Sequence, residues 1–365
     1  KGFRSLGGAQ SYPSRTKDTG GVDFSTGSVG MGVGATLFAS LVQDYVRLHG
    51  LVPNDRPAGR MVAVMGDAEL DEGNVFEALL EGWKHDVRNL WWVIDYNRQS
   101  LDGVVNDHLF RKINDFFGTV GWNVVILKYG KRLQAAFAGP AGEALRQWID
   151  DCPNQLYSAL CFKGGSSWRE HLKKDLKGTR GLKELLDGHD DDSLHGLMTN
   201  LAGHDMEAVL EAFHTVADDT PQCFVAYTVK GYGLPLAGHK DNHAGLMTVE
   251  QMAGFKESMG ISDGAEWEPL AGLDMDAKAL RTFLDAVPFK GRPKEAPRAA
   301  AIPVTAIAAP EGETLSTQEA FGRILNELGK GDGELARRIL TTSPDVTVST
   351  NLGGWVNQRG LFDRT

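Results

Sequence analysis

Residues 61–97 read MVAVMGDAELDEGNVFEALLEGWKHDVRNLWWVIDYN, and this stretch decides the fold. An apolar run at residues 61–65 stops at Gly66, apolar side chains at helical spacing follow, and a second apolar run covers residues 90–94. Short continuous apolar runs are typical of strands that are buried on both faces. The segment therefore predicts a strand, a helix and a second strand.

The same alternation extends to both sides of this segment. From Leu37 to Leu48 the apolar residues recur at intervals of three and four, which predicts a helix before the first strand. Further along, the pattern predicts strands at residues 122–127, 156–162 and 223–229 and helices at residues 141–149 and 206–216. Strands that alternate with helices indicate an α/β fold: a doubly wound parallel sheet with helices on both faces.

The chain is long enough for more than one domain. Its 365 residues exceed the roughly 250–300 residues at which a single hydrophobic core stops growing. The sequence becomes rich in Pro and Ala near residue 287, as in a stiff interdomain connector. We expect a first domain at residues 1–286, a linker at residues 287–314, and the incomplete beginning of a second α/β domain at residues 315–365, with a helix at residues 316–328 and a strand at residues 346–350. Because the first residue is not Met, we also expect this chain to be a piece of a longer polypeptide.

Composition excludes several classes of function. The chain carries 38 Lys and Arg against 48 Asp and Glu, and this net charge of -10 opposes binding to nucleic acid or to anionic lipid. From this charge we expect no nucleic-acid partner. No apolar run approaches the roughly 20 residues that cross a bilayer, so we expect no membrane span and a cytoplasmic location. The three cysteines, Cys152, Cys161 and Cys223, lack metal-site spacing and are expected to be reduced thiols.

Polar residues follow the two strands of the opening segment. Asp67 comes directly after the first strand, and Asn97 follows the second. Either residue alone is typical of a helix cap or a turn. Because the carboxyl ends of parallel strands meet at one edge of a sheet, however, we expect the two side chains to converge there. Carboxylate and amide oxygens are ligands that suit Mg²⁺.

These residues carry a resemblance to a known family. A strand that ends in Gly66-Asp67, with Asn97 30 residues after Asp67 and Leu101-Asp102-Gly103 beyond it, resembles the cofactor motif of thiamine diphosphate-dependent enzymes. Over residues 11–246, the chain is similar to the homodimeric pyruvate dehydrogenase decarboxylating component, on the segments DYNRQSLDG, GWNVV and VKGYG that begin at residues 95, 121 and 229. The resemblance implies thiamine diphosphate and Mg²⁺ as cofactors and decarboxylation of a 2-oxo acid, with pyruvate as the first candidate. It also implies a homodimer and acyl transfer to a lipoyl-bearing acyltransferase.

The resemblance further implies roles for individual residues. Mg²⁺ would be bound by the side chains of Asp67 and Asn97 and by the carbonyl of Gln99. The cofactor would be contacted by Tyr12, Gly66, Ala68, Glu69 and Lys230, and protons or substrate would be handled by His243 and His239. The family motif usually has Gly where Ala68 stands, which adds a methyl group beside the diphosphate. A catalytic glutamate is expected beyond Thr365.

Two other functions compete with this interpretation. Residues 26–34, TGSVGMGVG, resemble a loop of transketolases, so ketol transfer between sugar phosphates is an alternative reaction. The same glycines do not fit a dinucleotide loop, because a polar run rather than a strand precedes them. An alternative of another class is a non-catalytic dimerisation or regulatory half. His204 lies at the edge of a polar segment and is expected to be solvated.

Overall fold

The structure is a computed structural model in which the chain forms two compact units. It describes residues 2, 5–8, 10–18, 22–52, 55, 58–100, 103–104, 109–287, 301–304, 306–312, 314–343 and 345–363. The first unit contains Lys1–Val42 and Ala58–Leu273, and the second contains Gln43–Pro57 and Asp274–Thr365. The second unit thus begins before the boundary expected at residue 287. Most of the expected linker, residues 288–300, and the motif residues Leu101 and Asp102 lie outside the described residues.

The first unit is built on a parallel sheet. Its four strands are β1 Met61–Gly66, β2 Leu90–Tyr96, β5 Asn123–Leu127 and β6 Gln222–Tyr227. They lie in the order β1-β2-β6-β5, and every neighbouring pair is parallel. Two short strands, β3 Gln99–Ser100 and β4 Gly103–Val104, form a separate antiparallel pair.

Helices connect and cover these strands. In chain order they are α1 Met31–Leu48, α2 Gly73–Lys84, α3 Leu109–Thr119, α4 Lys131–Phe137, α5 Gly142–Asp151, α6 Asn154–Lys163, α7 Gly165–Asp175, α8 Leu182–Asp187, α9 Asp191–Met198, α10 Met206–His214, α11 Val249–Ser258, α12 Ala277–Ala286, α13 Thr317–Gly329, α14 Glu334–Arg338 and α15 Gly353–Arg359. Short 3₁₀ helices span Asp67–Asp71, Ala202–His204 and Lys240–His243.

Side chains pack on both faces of the sheet, which confirms the doubly wound α/β fold. On one face, Trp92 and Ile94 of β2 lie in a core that includes Leu37 of α1 and Leu79 of α2. On the other face, Trp91 and neighbouring residues of β5 and β6 pack against α10. This alternation along β2, with both sides buried, explains why its sequence reads as a continuous apolar run.

One expected strand in the first unit is wrong. Residues 156–162 belong to helix α6, one of six consecutive helices, α4 to α9, that lie between β5 and α10 in the sequence. In α6 the buried side chains Tyr157, Leu160 and Cys161 recur at helical spacing. Residues 156–162 contain no β-branched residue, and Tyr157 and Phe162 are their only members of the types enriched in strands.

The second unit contains only helices among its described residues. Leu325, Leu352 and Trp355 form its small core, where α13 packs against α15. The strand expected at residues 346–350 is wrong, since these residues form a turn in which Val346 and Val348 are exposed. Among the described residues of this unit, no strand is present for this segment to pair with. In the described part of both units, no helix is long and apolar enough to cross a bilayer.

Candidate functional site

The loops after β1 and β2 meet at the carboxyl edge of the sheet. The ladder pairs Gly66, the last residue of β1, with Asp95 near the end of β2, so the two loops start side by side. Asp67 is only 2% exposed, and its Oδ2 accepts a hydrogen bond of 2.8 Å from the main-chain N–H of Arg98. The structure therefore brings the Asp67 carboxylate against the loop that contains Asn97.

The other oxygen of this carboxylate has no partner. Asp67 Oδ1 is buried and accepts no hydrogen bond. Burial, and next to it the negative charge of Asp95, raise the pKa of Asp67 to about 6. Buried polar atoms almost always have partners, so an unpartnered carboxylate oxygen indicates a place for a cation or a donor.

The Asn97-Arg98-Gln99 turn supplies more oxygen atoms at this place. Asn97 Oδ1 accepts a hydrogen bond of 3.0 Å from the N–H of Gln99, which uses one of its two lone pairs. Gln99 is buried and donates from Nε2 to the carbonyl of Gly238 at 3.2 Å, whereas its Oε1 has no partner. In the described residues, no group of three His, Cys, Asp or Glu side chains could hold a metal. A metal here would depend on one carboxylate together with amide and carbonyl oxygens.

Glu69 connects the end of β1 to the glycine-rich loop before α1. Its Oε1 accepts a hydrogen bond of 3.1 Å from Gly66 N–H, and its Oε2 accepts one of 3.0 Å from Gly30 N–H. Gly30 has a φ of 78°, and a Cβ there would lie 2.8 Å from Asn74 Oδ1. Glu69 therefore fixes the position of the glycine-rich loop relative to the end of β1. Gly66 and Ala68 are half-buried in the same turn.

Tyr12 and Glu69 line one groove in the first unit. The groove has a volume of about 560 Å³ and also contains Gly27, Val62 and Val64 among its lining residues. The Tyr12 ring packs on Gly27, where an added Cβ would lie 3.3 Å from the ring. The groove thus runs from the exposed face of β1 to the Glu69 carboxylate, and it offers an apolar surface beside a polar end.

Lys230 and the two expected histidines lie in the segment after β6. The Lys230 carbonyl accepts hydrogen bonds from Gly238 N–H at 3.0 Å and from Asn242 Nδ2 at 2.9 Å, which folds this loop back on itself. His239 is half-buried, and its Nδ1 accepts from Asp241 N–H, whereas His243 is exposed. Among the described residues, no direct contact joins either histidine to Asp67 or Asn97. Gln99 joins this loop to the turn after β2 through its hydrogen bond to the Gly238 carbonyl.

Several residues at this edge had no role in the sequence interpretation. Asp95 acts on Asp67 through its charge and accepts a hydrogen bond from Thr228 Oγ1. The expectation that His204 is solvated is wrong, because its Nε2 accepts from Val229 N–H at 2.8 Å and its ring stacks on Tyr232. Asn242 Oδ1 is another buried oxygen without a partner. The signal available for Asp95 was its position directly after the apolar run at residues 90–94, but no signal existed for the long-range contacts of His204.

Comparison with known proteins gives consistent results. Residues 1–139 match the family described as transketolase, thiamine diphosphate binding domain. The chain is 27% identical to the pyruvate dehydrogenase E1 component of Cupriavidus necator over 98% of its own length and 41% of that protein. It is 25% identical to the protein of the same name from Mycobacterium tuberculosis, over 98% of this chain and 40% of that protein. The chain thus spans about two fifths of the length of these curated relatives.

A solved transketolase from Campylobacter jejuni is also similar to this chain. The two chains are 18% identical. The matched region covers 85% of this chain and 39% of the transketolase chain, with a TM-score of 0.44. The parallel sheet described above rests on the strand pairing of the chain itself. The family match, and the similarity to the E1 components over nearly the whole of this chain, agree with the motif found in the sequence. Residues 1–139 thus match a thiamine diphosphate binding domain family, and nearly the whole chain is similar to pyruvate dehydrogenase E1 components.

Proposed function

We propose that the carboxyl edge formed by β1, β2 and β6 binds thiamine diphosphate together with Mg²⁺. The observation that carries this proposal is the buried, unpartnered Oδ1 of Asp67. Asp67, the side-chain oxygen of Asn97 and the main-chain carbonyl of Gln99 are the proposed metal ligands. This oxygen-only set suits Mg²⁺, which takes its remaining ligands from phosphate and water.

The surrounding residues support an anionic cofactor in different ways. Gly66 and Ala68 are proposed to lie along the diphosphate, with Lys230 facing it from the end of β6. Glu69 contributes by fixing the glycine-rich loop rather than by direct contact, since both of its oxygens accept main-chain N–H groups. The groove that Tyr12 lines beside Glu69 is proposed to receive the ring end of the cofactor.

The whole protein to which this chain corresponds is proposed to decarboxylate a 2-oxo acid, with pyruvate as the first candidate. The support is the similarity to E1 components over nearly the full chain. When bound, thiamine diphosphate supplies the carbanion chemistry of the reaction. His243 and His239 are proposed to handle protons or substrate from the loop after β6. A lipoyl-bearing acyltransferase as acyl acceptor, and a homodimer as the active form, belong to the same proposal.

Titration calorimetry tests the cofactor site. The full chain is titrated with thiamine diphosphate in the presence and absence of Mg²⁺, and we expect Mg²⁺-dependent binding. An Asp67→Ala variant should lose that binding. The matched control is Asp71→Ala, which removes an exposed carboxylate from the same 3₁₀ helix and should bind normally. Equal heats from the wild type and Asp67→Ala would contradict the proposed site.

A product assay tests the reaction. The chain alone is expected to bind the cofactor weakly and to turn over no substrate, because the resemblance puts a catalytic glutamate beyond Thr365. The full-length protein should release carbon dioxide from pyruvate. Ketol transfer between sugar phosphates by the full-length protein would support the transketolase alternative instead. Turnover of pyruvate by residues 1–365 alone would overturn the assignment of the missing glutamate.

A further inference from the structure

Arg98 has an unusual backbone conformation for its residue type. Its φ is 65°, in the left-handed region that few residues other than glycine adopt. The other described non-glycine residues with positive φ are Asp86, Asn89 and Asn351. Asp and Asn tolerate this region because their short side chains bond the local backbone, and arginine has no such advantage. Contacts elsewhere must therefore hold Arg98 in this conformation.

The side chain of Arg98 provides those contacts. It is 6% exposed, and its guanidinium carbon lies 4.4 Å from the ring centre of Tyr157 and 5.6 Å from that of Tyr227. Nη2 donates a hydrogen bond of 3.2 Å to the carbonyl of Thr228. Tyr157 is itself fixed by a hydrogen bond from its hydroxyl to the carbonyl of Met198, at 2.6 Å. A buried aromatic clamp therefore holds the guanidinium.

The same residue touches the proposed metal site through its backbone. The main-chain N–H of Arg98 donates to Asp67 Oδ2, and Asp67 Oδ1 is the oxygen that stays unpartnered. Arg98 lies between Asn97 and Gln99, which carry the other proposed ligand atoms. The conformation of this one residue thus determines which carboxylate oxygen is engaged and how both neighbours are presented.

The guanidinium of Arg98 is a buried charge. In the part of the chain that the structure describes, no carboxylate forms an ion pair with the guanidinium, and Nε is buried without a partner. Burying an unpaired charge is costly. The rings of Tyr157 and Tyr227 take part in stabilising this charge.

We propose that Arg98 is a positioning residue, whose side chain, clamped by Tyr157 and Tyr227, holds the turn so that Asp67 keeps one carboxylate oxygen open to a divalent cation. This inference rests on the proposed function. It goes beyond that function because it assigns the geometry of the site to a residue that is not one of its ligands.

An Arg98→Gly variant separates this role from simple relief of backbone strain. Glycine adopts positive φ freely, so the variant keeps the backbone of the turn unstrained while it removes the buried guanidinium and its contacts, and thermal unfolding checks that it folds. Without the clamp, we expect the affinity for Mg²⁺ and thiamine diphosphate to fall about tenfold or more, as for loss of a hydrogen bond to a charged group. Mn²⁺ binding measured by electron paramagnetic resonance gives a readout that does not depend on activity. The matched control is Asn89→Gly, which makes the same type of change away from the site and should leave both affinities unchanged.

Substitutions at Tyr157 test the clamp without altering residue 98. Tyr157→Phe keeps the ring under the guanidinium and should retain most of the affinity, whereas Tyr157→Leu should lose it as Arg98→Gly does. Affinities for Arg98→Gly within tenfold of the wild type would overturn the inference, as would equal affinities for the Phe and Leu variants. If the wild-type chain itself binds neither Mn²⁺ nor the cofactor, the proposed function fails, and that result is distinct from a failure confined to Arg98.

Discussion

Two polar clusters lie at the carboxyl edge of the same sheet, and they differ in how well their groups are partnered. After β1 and β2, the carboxylate of Asp67 has one oxygen without a partner. After β5, the carboxylate of Asp150 accepts hydrogen bonds from both Lys128 and Tyr129. A cavity of about 890 Å³ adjoins the second cluster, against about 560 Å³ for the groove beside Glu69. Unsatisfied polar atoms, and not cavity volume, distinguish the proposed site.

The pKa values of the two carboxylates are shifted in opposite directions. Burial raises the pKa of Asp67. Burial acts on Asp150 in the same direction, but the hydrogen bonds from Lys128 and Tyr129 outweigh it and hold the pKa of Asp150 below its usual value. Burial lowers the pKa of Lys128, and its contact with Asp150 opposes that shift. Asp150 is therefore stabilised as an anion by its neighbours, whereas the Oδ1 atom of Asp67 has no positively charged or hydrogen-bonding partner.

The largest expected effect tests this contrast through stability. Asp150→Asn should lower the free energy of unfolding by about 3–4 kcal/mol, because it leaves the mostly buried ammonium of Lys128 without its counter-charge. Asp67→Asn, measured without metal or cofactor at pH 7, should not destabilise the chain, since it removes a carboxylate that burial disfavours. Denaturant unfolding of both variants gives the comparison. A larger loss for Asp67→Asn would show that Asp67 is a structural partner rather than an open ligand.

A smaller effect concerns the pH dependence of stability without metal. Asp67 has a pKa of about 6 in the folded chain and 3.8 as its ordinary value, so between these pH values the folded state binds the extra proton. The contribution of Asp67 to the free energy of unfolding should therefore fall by about 2–3 kcal/mol as the pH rises from 4 to 7. The difference between the wild type and Asp67→Asn across this range isolates it. A flat difference would mean that Asp67 ionises normally in the fold.

The sequence predicted most of what local pattern controls. Apolar runs located β1, β2, β5 and β6, because buried parallel strands have a composition of their own. The expected approach of Asp67 and Asn97 followed from parallel topology alone, since both follow strand ends at one edge. Residues 156–162 were placed in a strand because a short apolar run does not separate a strand from a buried helix.

What the sequence could not predict depends on contacts between distant segments. Gln99 bonds Gly238, 139 residues away, and Glu69 bonds Gly30, 39 residues away. The positive φ of Arg98 likewise depends on Tyr157 and Tyr227, which no local pattern connects to it. Motif spacing therefore identified the candidate ligands, while the residues that position them appeared only in the fold.

The smallest expected effect concerns how the segment that carries Lys230 is held. His204 Nε2 accepts from Val229 N–H, and its ring stacks on Tyr232 at 3.8 Å with an interplanar angle of 15°. Gly203 helps to place it, since a Cβ there would lie 2.6 Å from the Tyr227 carbonyl oxygen. His204→Phe keeps a stacking ring but loses the acceptor, so it should cost about 1 kcal/mol of stability, and His204→Gln should recover part of that loss.

This effect has a pH dependence opposite to that of Asp67. Burial lowers the pKa of His204, so the neutral ring is the form favoured by folding. Its contribution is fully present above pH 6.5 and is lost as the pH falls, because a protonated Nε2 cannot accept from Val229. The difference in unfolding free energy between the wild type and His204→Phe should therefore shrink below pH 6. If that difference stays constant with pH, stacking on Tyr232 rather than the hydrogen bond holds the segment, and the carboxyl edge depends on His204 only for packing.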